Sequence, residues 1–483
     1  MKLSEILKNI KIVQIDNFSD IEIKHVISDS RENFKDSIFI AVKGFQSDGV
    51  SFVKSAIENG AVAVIHETEI ESKLDNIVYI KVKDARSIQS KIASLVYSSP
   101  SEYIQLIGVT GTNGKTSFAY IFRHILNHSK KKCCLIGTTE YDLGKRKFVP
   151  LRTTPDAVFL QRYLNEMVVS GCKMAVVEVS SHALLLNRVE DVKFDISVYT
   201  NLSQDHLDFH KDLEGYANAK SLLFSEHTKE NGLVILNKDD DHFSLMKAKS
   251  KTEVLTYSMV RDDADLFIRD IEYLSNGMKI KFKMLEQELE IVTNLTGDYQ
   301  AFNIAAAVLS SYRNGVNISE IIDSFKVDIN IPGRMELIRD DKCKIFIDYA
   351  HTPDALERSL KSIENFAEKR LITVFGCGGN RDKDKRSQMG KIATELSDHV
   401  IITSDNPRYE DQDEIISSII KGIKTTNFEV VKDRKKAIIT AIELVESGDV
   451  ILIAGKGHET YQEIDGVNYP FSDKKVVQEY NNL

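Results

Sequence analysis

The strongest constraint on the fold of this chain is the regular alternation of short apolar runs, rich in Val and Ile, with longer segments of helical period. Polar or glycine-rich turns follow most of these runs. Such alternation is typical of parallel sheets covered by helices. The clearest runs are residues 105–109, 174–179, 196–200, 345–348, 371–375, 399–403 and 450–454. We therefore expect an α/β protein with ligands bound at the carboxyl ends of its strands.

Two breaks in the pattern predict domain limits. The polar stretch SSPSEY at residues 98–103 separates a helix-like segment from a new strand, and INIPGRME at residues 329–336 interrupts the pattern again. A chain of 483 residues has room for about three domains. We expect them at residues 1–100, 101–330 and 331–483, with hairpins added between residues 253 and 295 around the turn Ser275-Asn276-Gly277.

Composition excludes several classes of protein. The 63 basic and 72 acidic residues give a net charge of −9, which does not suggest a nucleic-acid partner. No run of about 18 apolar residues predicts a membrane span, and the amino terminus predicts a short amphipathic helix rather than an export signal. Five cysteines without metal-ligand spacing are expected to be reduced thiols in a cytoplasmic protein.

The sequence LIGVTGTNGKTS at residues 106–117 predicts a phosphate-binding loop between a strand and a helix. Backbone N–H groups of such a loop hold phosphate oxygens, Lys115 supplies a positive charge, and the hydroxyl of Thr116 is placed to bind Mg²⁺. The spacing departs from the general motif, since Val109 stands where a glycine is common and Gly108 comes one residue earlier. This loop alone would fit a motor, a switch or an enzyme.

Two further strand ends carry acidic and histidine side chains. EVSSHA follows one buried strand and provides Glu178, and SQDHLDFH follows another and provides His206. A carboxylate at a strand end near a phosphate loop is well placed as a second metal ligand. Two such strand ends beside a phosphate loop favour a functional site over ordinary surface or capping residues.

These motifs together resemble the Mur ligase family, the ATP-dependent amide-forming synthetases of peptidoglycan precursor assembly. The matches cover nearly the whole chain: GTNGKT (111–116), TTPD (153–156), EVSSHAL (178–184), DHLDFH (205–210), YANAK (216–220), PGRME (332–336), DYAHTPD (348–354), GCGGNRDKDKR (376–386), DNPR (405–408) and GKGHE (455–459). The resemblance implies a central ATP-binding sheet of parallel strands with helices, a Rossmann-like carboxy-terminal domain and a smaller amino-terminal α/β domain that binds uridine.

Within this family the chain is most similar to the branch that adds the third residue of the stem peptide. DSR at residues 29–31 and GFQSDG at residues 44–49 resemble that branch's uridine-binding segments. The implied substrates are UDP-N-acetylmuramoyl-L-alanyl-D-glutamate, ATP and a diamino acid. ATP would phosphorylate the glutamate side-chain carboxylate, and the amine of the diamino acid would then displace the phosphate.

The resemblance assigns ATP and metal contacts residue by residue. Lys115, Lys220, His206 and Glu178 are the expected catalytic residues. ATP contacts are expected from Gly111, Thr112, Asn113, Gly114, Lys115, Thr116, Asn303, Arg334 and Asp348. Thr116 and Glu178 would bind one Mg²⁺ and His206 a second. Lys220 would act as a carbamate formed with CO₂, because an unmodified ammonium would place positive charge beside a cation.

Contacts to the other two substrates follow from the same comparison. Ser30, Thr153, Thr154, Ser180 and Arg188 resemble contacts to the UDP-sugar dipeptide. Asn187 stands where the family often has Gln, and Gln300 stands where it usually has Asn. Arg381, Asp405, Asn406, Arg408, Gly455 and Glu459 resemble the diamino acid site.

Arg408 predicts which diamino acid is added. A guanidinium pairs with a distal carboxylate and repels a lone distal ammonium, so meso-diaminopimelate is favoured over L-lysine. A close analogue such as meso-lanthionine has nearly the same two ends. Gln412 replaces a proline that usually follows Glu410 and Asp411.

Three alternatives stay open at this point. An L-lysine-adding synthetase would differ at Arg408, and a folylpolyglutamate synthetase would lack the first hundred residues. A nucleotide-dependent scaffold would not need Lys115, Glu178 and Lys220 together. We expect a monomer without nucleic-acid or membrane partners, a carboxy-terminal domain that closes on the ATP domain, and a locally basic site to bind anionic substrates.

Overall fold

Three separate sheets organise the chain in the computed structural model, which describes residues 1–44, 47–284, 287–364 and 366–480. Their strands lie within residues 12–82, 105–293 and 336–454. Helices alternate with the strands in each part, so the predicted α/β class is confirmed. The domain limits at residues 100 and 330 stay a prediction.

The amino-terminal part is a small mixed sheet. Its elements are α1 (Leu3–Leu7), β1 (Ile12–Asp16), β2 (His25–Ile27), β3 (Ser37–Ala41), α2 (Val53–Glu58), β4 (Ala61–His66), β5 (Val78–Val82) and α3 (Ala85–Val96). The strand order is β1-β5-β4-β3-β2, with β1 antiparallel to β5 and the other pairs parallel. The predicted amino-terminal helix is α1. Phe45 and Gln46 of the GFQSDG segment lie outside the described residues.

The central part is the largest. Its elements are β6 (Gln105–Thr110), α4 (Lys115–His128), β7 (Cys133–Ile136), β8 (Tyr141–Asp142), β9 (Lys147–Phe148), α5 (Ala157–Val169), β10 (Met174–Glu178), α6 (Ser181–Leu185), β11 (Phe194–Tyr199), α7 (Leu207–His210), α8 (Leu213–Ser225), β12 (Thr228–Asn237), α9 (Phe243–Lys249), β13 (Glu253–Ser258), β14 (Leu266–Leu274), β15 (Gly277–Met284), β16 (Gln287–Thr293), α10 (Asp298–Arg313) and α11 (Ile318–Ser324).

The central sheet is parallel in its middle and antiparallel at both edges. The order is β16-β15-β14-β13-β12-β11-β6-β10-β7-β8-β9, and the pairs from β14 to β7 are parallel. The parallel middle is as expected, and the hairpins predicted between residues 253 and 295 form one antiparallel edge. The other antiparallel edge, where a tight turn joins β7 to β8, was not predicted. Tight turns permit only antiparallel pairing, whereas β6 and β10 are buried between helices.

The carboxy-terminal part repeats the parallel pattern on a smaller scale. Its elements are β17 (Glu336–Asp340), β18 (Lys344–Asp348), α12 (Pro353–Glu364), β19 (Leu371–Phe375), α13 (Asp384–Leu396), β20 (His399–Ile402), α14 (Gln412–Ile420), β21 (Phe428–Val430), α15 (Arg434–Leu444), β22 (Val450–Ala454), β23 (Tyr461–Ile464), β24 (Val467–Pro470) and α16 (Asp473–Glu479). The sheet order is β17-β18-β22-β19-β20-β21, antiparallel only between β17 and β18. Strands β23 and β24 form a separate hairpin.

The cysteines differ in part from expectation. Cys133, Cys343 and Cys377 are free and buried, as small core side chains. The structure pairs Cys134 on β7 with Cys172, so the expectation of five reduced thiols is wrong for these two. The pairing arises because β7 and the turn after α5 meet in the central core, which spacing along the chain does not reveal.

In the described ranges, none of the helices has the length and apolar character needed to cross a membrane.

Candidate active site

The phosphate loop lies at the carboxyl end of β6 and runs into α4. Gly111 and Gly114 have φ of +152° and +88°, a region that favours glycine. A Cβ at Gly114 would collide with the Asn303 side chain from α10. The close packing of the loop against α10 therefore requires glycine at this position.

Lys115 folds back over its own loop. Its Nζ donates to the carbonyl oxygens of Gly111 at 2.7 Å and Thr112 at 2.9 Å. Burial lowers the pKa of Lys115, and the nearby Arg334 guanidinium acts in the same direction. The Lys115 amine is thus held where a phosphate oxygen would meet it at the loop.

Glu178 is fully buried and is surrounded by hydroxyl and amide donors. The Thr116 hydroxyl donates to its carboxylate at 3.0 Å, and Thr138 donates through its hydroxyl at 2.8 Å and its amide at 2.9 Å. The structure thus brings together Thr116 and Glu178, as the sequence predicted. Sequence reasoning missed Thr138, although it lies in the polar turn that follows β7.

His206 lies near the Tyr216 ring, 6.1 Å between ring centres. His206 has φ of +56°, and its Nε2 lies 3.4 Å from the Asp205 carboxylate. Burial lowers the pKa of His206 to about 3, which keeps its ring neutral. A neutral imidazole has a lone pair available for a metal ion.

Lys220 is buried in α8 and points to the phosphate loop. Its Nζ donates to the Gly111 carbonyl at 2.9 Å and lies 4.2 Å from the centre of the Tyr216 ring. The same carbonyl also accepts from Lys115. Burial, together with the charge of Lys115, holds the pKa of Lys220 well below its usual range. Both effects favour the neutral, nucleophilic form of the Lys220 amine.

A cavity of about 440 Å³ opens beside the loop between the central and carboxy-terminal parts. Five of the predicted ATP contacts line it: Asn113, Gly114, Asn303, Arg334 and Asp348. The other four, Gly111, Thr112, Lys115 and Thr116, are not among its described lining residues. Sequence reasoning missed the aromatic walls of this cavity. Those walls are Tyr257, Tyr299, Phe302 and Tyr349.

Arg334 and Asp348 are held by different contacts. The Arg334 guanidinium stacks 4.5 Å from the Tyr349 ring centre and donates to the Thr116 hydroxyl at 3.4 Å. The Asp348 carboxylate accepts from the amides of Met335 and Ala350. Burial raises the pKa of Asp348. Arg334 thus links the carboxy-terminal part to the start of α4.

Four of the five predicted UDP-sugar dipeptide contacts form one cluster. Thr154 donates to the Glu178 carbonyl at 2.8 Å and lies 3.3 Å from the Ser180 hydroxyl. Arg188 donates to the Thr154 carbonyl, and Thr153 lies 3.1 Å from Thr138. The fifth residue, Ser30, has its described contacts within the amino-terminal part, where its carbonyl accepts from Asn59. The structure therefore does not place Ser30 in this cluster.

The predicted diamino acid contacts line a second cavity of about 120 Å³. Arg381, Asp405, Asn406, Arg408, Gly455 and Glu459 all face it, across from Asp205 and His206 of the central part. His206, the predicted ligand of the second metal ion, is therefore part of the wall of this cavity. The structure brings this predicted set together completely.

Asn406 and Glu459 are fixed by a buried lysine that sequence reasoning missed. Lys456 Nζ donates to the side-chain oxygen Oδ1 of Asn406 at 2.9 Å and to the Glu459 carboxylate at 2.7 Å. The side-chain Nδ2 of Asn406 donates to the Glu459 carboxylate at 2.8 Å. Burial raises the pKa of Glu459. One sign of this role was present in the sequence, because Lys456 lies inside the GKGHE motif. Lys456 is not among the described residues that line the cavity.

The smaller cavity is not locally basic, which differs from what was expected of the site as a whole. Among the described lining residues of the smaller cavity, five carboxylates face three basic side chains. The carboxylates are Asp205, Asp208, Asp382, Asp405 and Glu459, and the basic residues are Arg381, Lys385 and Arg408. A diamino acid brings two ammonium groups, so acidic walls can compensate them.

No group of three or more acidic, histidine or cysteine side chains forms a ready metal site in the ranges that the structure describes. The donors present are hydroxyl, carboxylate and imidazole groups at the phosphate loop. Of these, Mg²⁺ prefers the hydroxyl and carboxylate oxygens. It also keeps several waters and takes phosphate oxygens as further ligands. Thr116 and Glu178 therefore fit a metal ion that arrives with a nucleotide.

Comparison with known proteins gives consistent matches along the chain. Family profiles match three segments: "Mur ligase family, catalytic domain" at residues 22–97, "Mur ligase middle domain" at 109–311 and "Mur ligase, glutamate ligase domain" at 333–457. A Clostridioides difficile (strain 630) protein named UDP-N-acetylmuramoyl-L-alanyl-D-glutamate--2,6-diaminopimelate ligase is 42% identical over 99% of both chains.

Two further matches carry the same name. The Aquifex aeolicus (strain VF5) protein is 42% identical over 95% of this chain and 93% of its own. A solved structure of such a ligase superposes with a TM-score of 0.68 at 33% identity and covers 99% of this chain and 98% of that one. The similarity thus includes the first hundred residues.

Proposed function

Since this chain belongs to the Mur ligase family, we propose that it joins 2,6-diaminopimelate to UDP-N-acetylmuramoyl-L-alanyl-D-glutamate in peptidoglycan precursor synthesis. The chain is an ATP-dependent ligase that forms an amide bond. The observation that carries the choice of amino acid is Arg408, whose guanidinium faces the smaller cavity. The matched first hundred residues oppose a folylpolyglutamate synthetase. The presence of Lys115, Glu178 and Lys220 together opposes a non-catalytic scaffold.

The reaction needs an activated carboxyl group, because oxide is a poor leaving group. In the proposed first step an oxygen of the D-glutamate side chain attacks the γ-phosphorus of ATP, and the bond from that phosphorus to the β-γ bridging oxygen breaks. In the second step the amine of the diamino acid attacks the acyl carbon, phosphate leaves with the electron pair and the amine loses a proton. The protein's task is to position charged reactants.

We assign the residues of the larger cavity to ATP. The phosphates would be contacted by the loop residues Gly111, Thr112, Asn113 and Gly114 and by the amine of Lys115. Asn303, Arg334 and Asp348 would contact the nucleoside and phosphate groups. Support comes from the position of this cavity at the loop and the amino end of α4, where phosphate binding is favoured.

Mg²⁺ accompanies ATP in this family, and two ions would reduce repulsion between the γ-phosphate and the substrate carboxylate. Thr116 and Glu178 would hold one ion. His206 and a carbamate on Lys220 would hold or orient the second. The lowered pKa of Lys220 supports carbamate formation, because only a neutral amine attacks CO₂.

The remaining assignments follow the two other clusters. Thr153, Thr154, Ser180 and Arg188 would contact the dipeptide and its phosphosugar, and Ser30 would contact the uridine end within residues 1–100. Arg381, Asp405, Asn406, Arg408, Gly455 and Glu459 would bind the diamino acid, in its meso form. We keep domain limits at 100 and 330, a monomeric state and a cytoplasmic location as parts of this proposal.

Oxygen transfer tests the proposed reaction. The D-glutamate side-chain carboxylate of the UDP-dipeptide is labelled with ¹⁸O and incubated with ATP, Mg²⁺ and meso-diaminopimelate, and phosphate and product are analysed by mass. We expect one ¹⁸O in the released phosphate and a stoichiometric UDP-tripeptide. Phosphate without label, or ATP hydrolysis without a tripeptide, would contradict the proposal.

A further inference from the structure

Arg408 is held by the hairpin of β23 and β24, which lies beyond the GKGHE motif. The Arg408 amide donates to the Glu463 carbonyl at 3.0 Å, and the Asp465 amide donates to the Arg408 carbonyl at 2.7 Å. Arg408 has φ of +54°, which costs free energy in a residue other than glycine. The two backbone bonds therefore maintain a conformation that the residue would not adopt alone.

The same hairpin also holds the Arg408 side chain. The Arg408 Nε donates to the Glu463 carboxylate at 3.0 Å, and Nη1 donates to the Gly379 carbonyl at 2.8 Å. Within the described part of the chain, Nη2 has no such partner. The guanidinium is thus fixed at two nitrogens, and a third remains for a ligand in the cavity that Arg408 lines.

Other bonds from β23 reach the neighbouring site residues. The Glu463 amide donates to the Asn406 side-chain oxygen at 2.9 Å, and the Gln462 side chain donates to the Asp405 carbonyl at 2.7 Å. The hairpin thus supports three of the four positions of the DNPR segment, Asp405, Asn406 and Arg408. Of these contacts, the carboxylate of Glu463 is the one that bears on the direction of the guanidinium.

We propose that Glu463 is a positioning residue for amino-acid selection: its carboxylate orients the Arg408 guanidinium so that the free edge receives the distal carboxylate of the diamino acid. This inference rests on the proposed function. A guanidinium binds a carboxylate well only when both planes align, so an Arg408 free to rotate would lose affinity and selectivity. An ordinary surface ion pair would affect neither.

Two variants of Glu463 test this role. Glu463→Ala removes the acceptor, and Glu463→Gln keeps an oxygen in place without the charge. We expect Glu463→Ala to raise the KM for meso-diaminopimelate roughly tenfold, the effect of one charge-assisted bond. The KM values for ATP and the UDP-dipeptide should change less than twofold, and Glu463→Gln should recover part of the loss.

Selectivity provides the readout that a purely structural role would not change. The ratio of kcat/KM for meso-diaminopimelate to that for L-lysine should fall in Glu463→Ala. As a control, Asp413→Ala removes another carboxylate of the same part of the chain, one paired with Lys432 at 2.6 Å, and should leave the ratio unchanged. An unchanged ratio in both Glu463 variants, or an equal loss for all three substrates, would overturn the inference.

Assays of the wild-type protein distinguish a failure of the proposed function from a failure of the positioning role of Glu463. If wild type makes no tripeptide from meso-diaminopimelate, the proposed function fails. If wild type makes it and both Glu463 variants match wild type in KM and selectivity, the function stands and the positioning role fails. Should Glu463→Ala not fold, Glu463→Gln alone must still lower the ratio for the inference to hold.

Discussion

Lys220 and Lys115 place two amines on one carbonyl, that of Gly111. Two neighbouring ammonium groups in a buried space would repel each other, so the structure favours a neutral amine at Lys220. Conversion of that amine to a carbamate changes repulsion into attraction towards Lys115 and towards a metal ion. The account of catalysis at the residue scale depends on this change of charge.

Lys220→Ala should lower kcat roughly a hundredfold, the scale of losing one preorganised electrostatic group. Acetate or formate should restore part of the activity by replacing the missing anion. Lys247→Ala is a matched control, since Lys247 also lies near an aromatic ring but is exposed. Full activity of Lys220→Ala without added carboxylate would refute the carbamate.

His227 predicts a pH dependence of stability. Burial lowers its pKa to about 4, and its ring lies 3.4 Å from the Val192 carbonyl. In the unfolded chain the pKa is about 6.5, so between these values only the unfolded state binds the proton. The free energy of unfolding therefore falls as pH falls from about 6.5 to about 4, by roughly 3 kcal/mol at most.

Urea unfolding between pH 7 and pH 4.5 measures this effect. His227→Gln should show a smaller fall in unfolding free energy than wild type, because the substituted residue does not titrate. His128→Gln, at an exposed position, should behave as wild type. Equal pH slopes for wild type and His227→Gln would contradict the assignment to His227.

At the scale of elements, the start of α4 combines a strained loop with a close neighbour. Gly114→Ala should raise the KM for ATP at least about tenfold, since the added Cβ meets Asn303 at a left-handed φ. Gly171→Ala is the matched control: Gly171 also has positive φ, +76°, but its Cβ would meet no atom within 4 Å. Equal ATP affinity in the two variants would show that the contact with Asn303 is unimportant.

The sequence predicted the positions of strands better than it predicted which strands pair with each other. The strands predicted at 105–109, 371–375 and 450–454 match β6, β19 and β22 within one residue, because a buried parallel strand is a continuous apolar run. The antiparallel edge formed by β7, β8 and β9 was missed, since edge pairing depends on turns and not on apolar period. The predicted hairpin around residues 275–277 is confirmed as β14 and β15.

The same limit applies to the candidate site. Glu178 and Arg408 were singled out because they lie in recognisable motifs. The structure places Glu178 beside Thr116 and Arg408 at the smaller cavity, and their roles stay predictions. Thr138 and Glu463 were missed, because each acts through a contact between elements that no local pattern encodes. Lys456 was missed although it lies inside GKGHE, because its bond to Asn406 joins distant parts of the chain.

At the scale of the whole molecule, side chains of the carboxy-terminal part reach the phosphate loop. The Asn113 side chain donates to Asp354 of α12 at 3.2 Å, and Gln204 donates to Asp382 at 3.4 Å. Together with the contact between Arg334 and Thr116, these bonds connect the carboxy-terminal part of the chain to the central part. That the carboxy-terminal part moves when substrates bind stays a prediction.

Asp354→Ala should lower kcat/KM for ATP about three- to tenfold, the effect of losing one hydrogen bond across the interface. Initial rates at varied ATP would measure it. Asp323→Ala removes a carboxylate that pairs with Lys326 on the surface and should have no effect. A loss of the same size in both variants would indicate a general effect of charge rather than an interface contact.

Competition between amino acids tests the central claim most directly. Wild type receives the UDP-dipeptide, ATP, Mg²⁺ and equal concentrations of meso-diaminopimelate and L-lysine, and the two tripeptides are separated by mass. We predict a large excess of the diaminopimelate product, and a ratio much closer to one for Arg408→Ala. An excess of the lysine product from wild type would contradict the account.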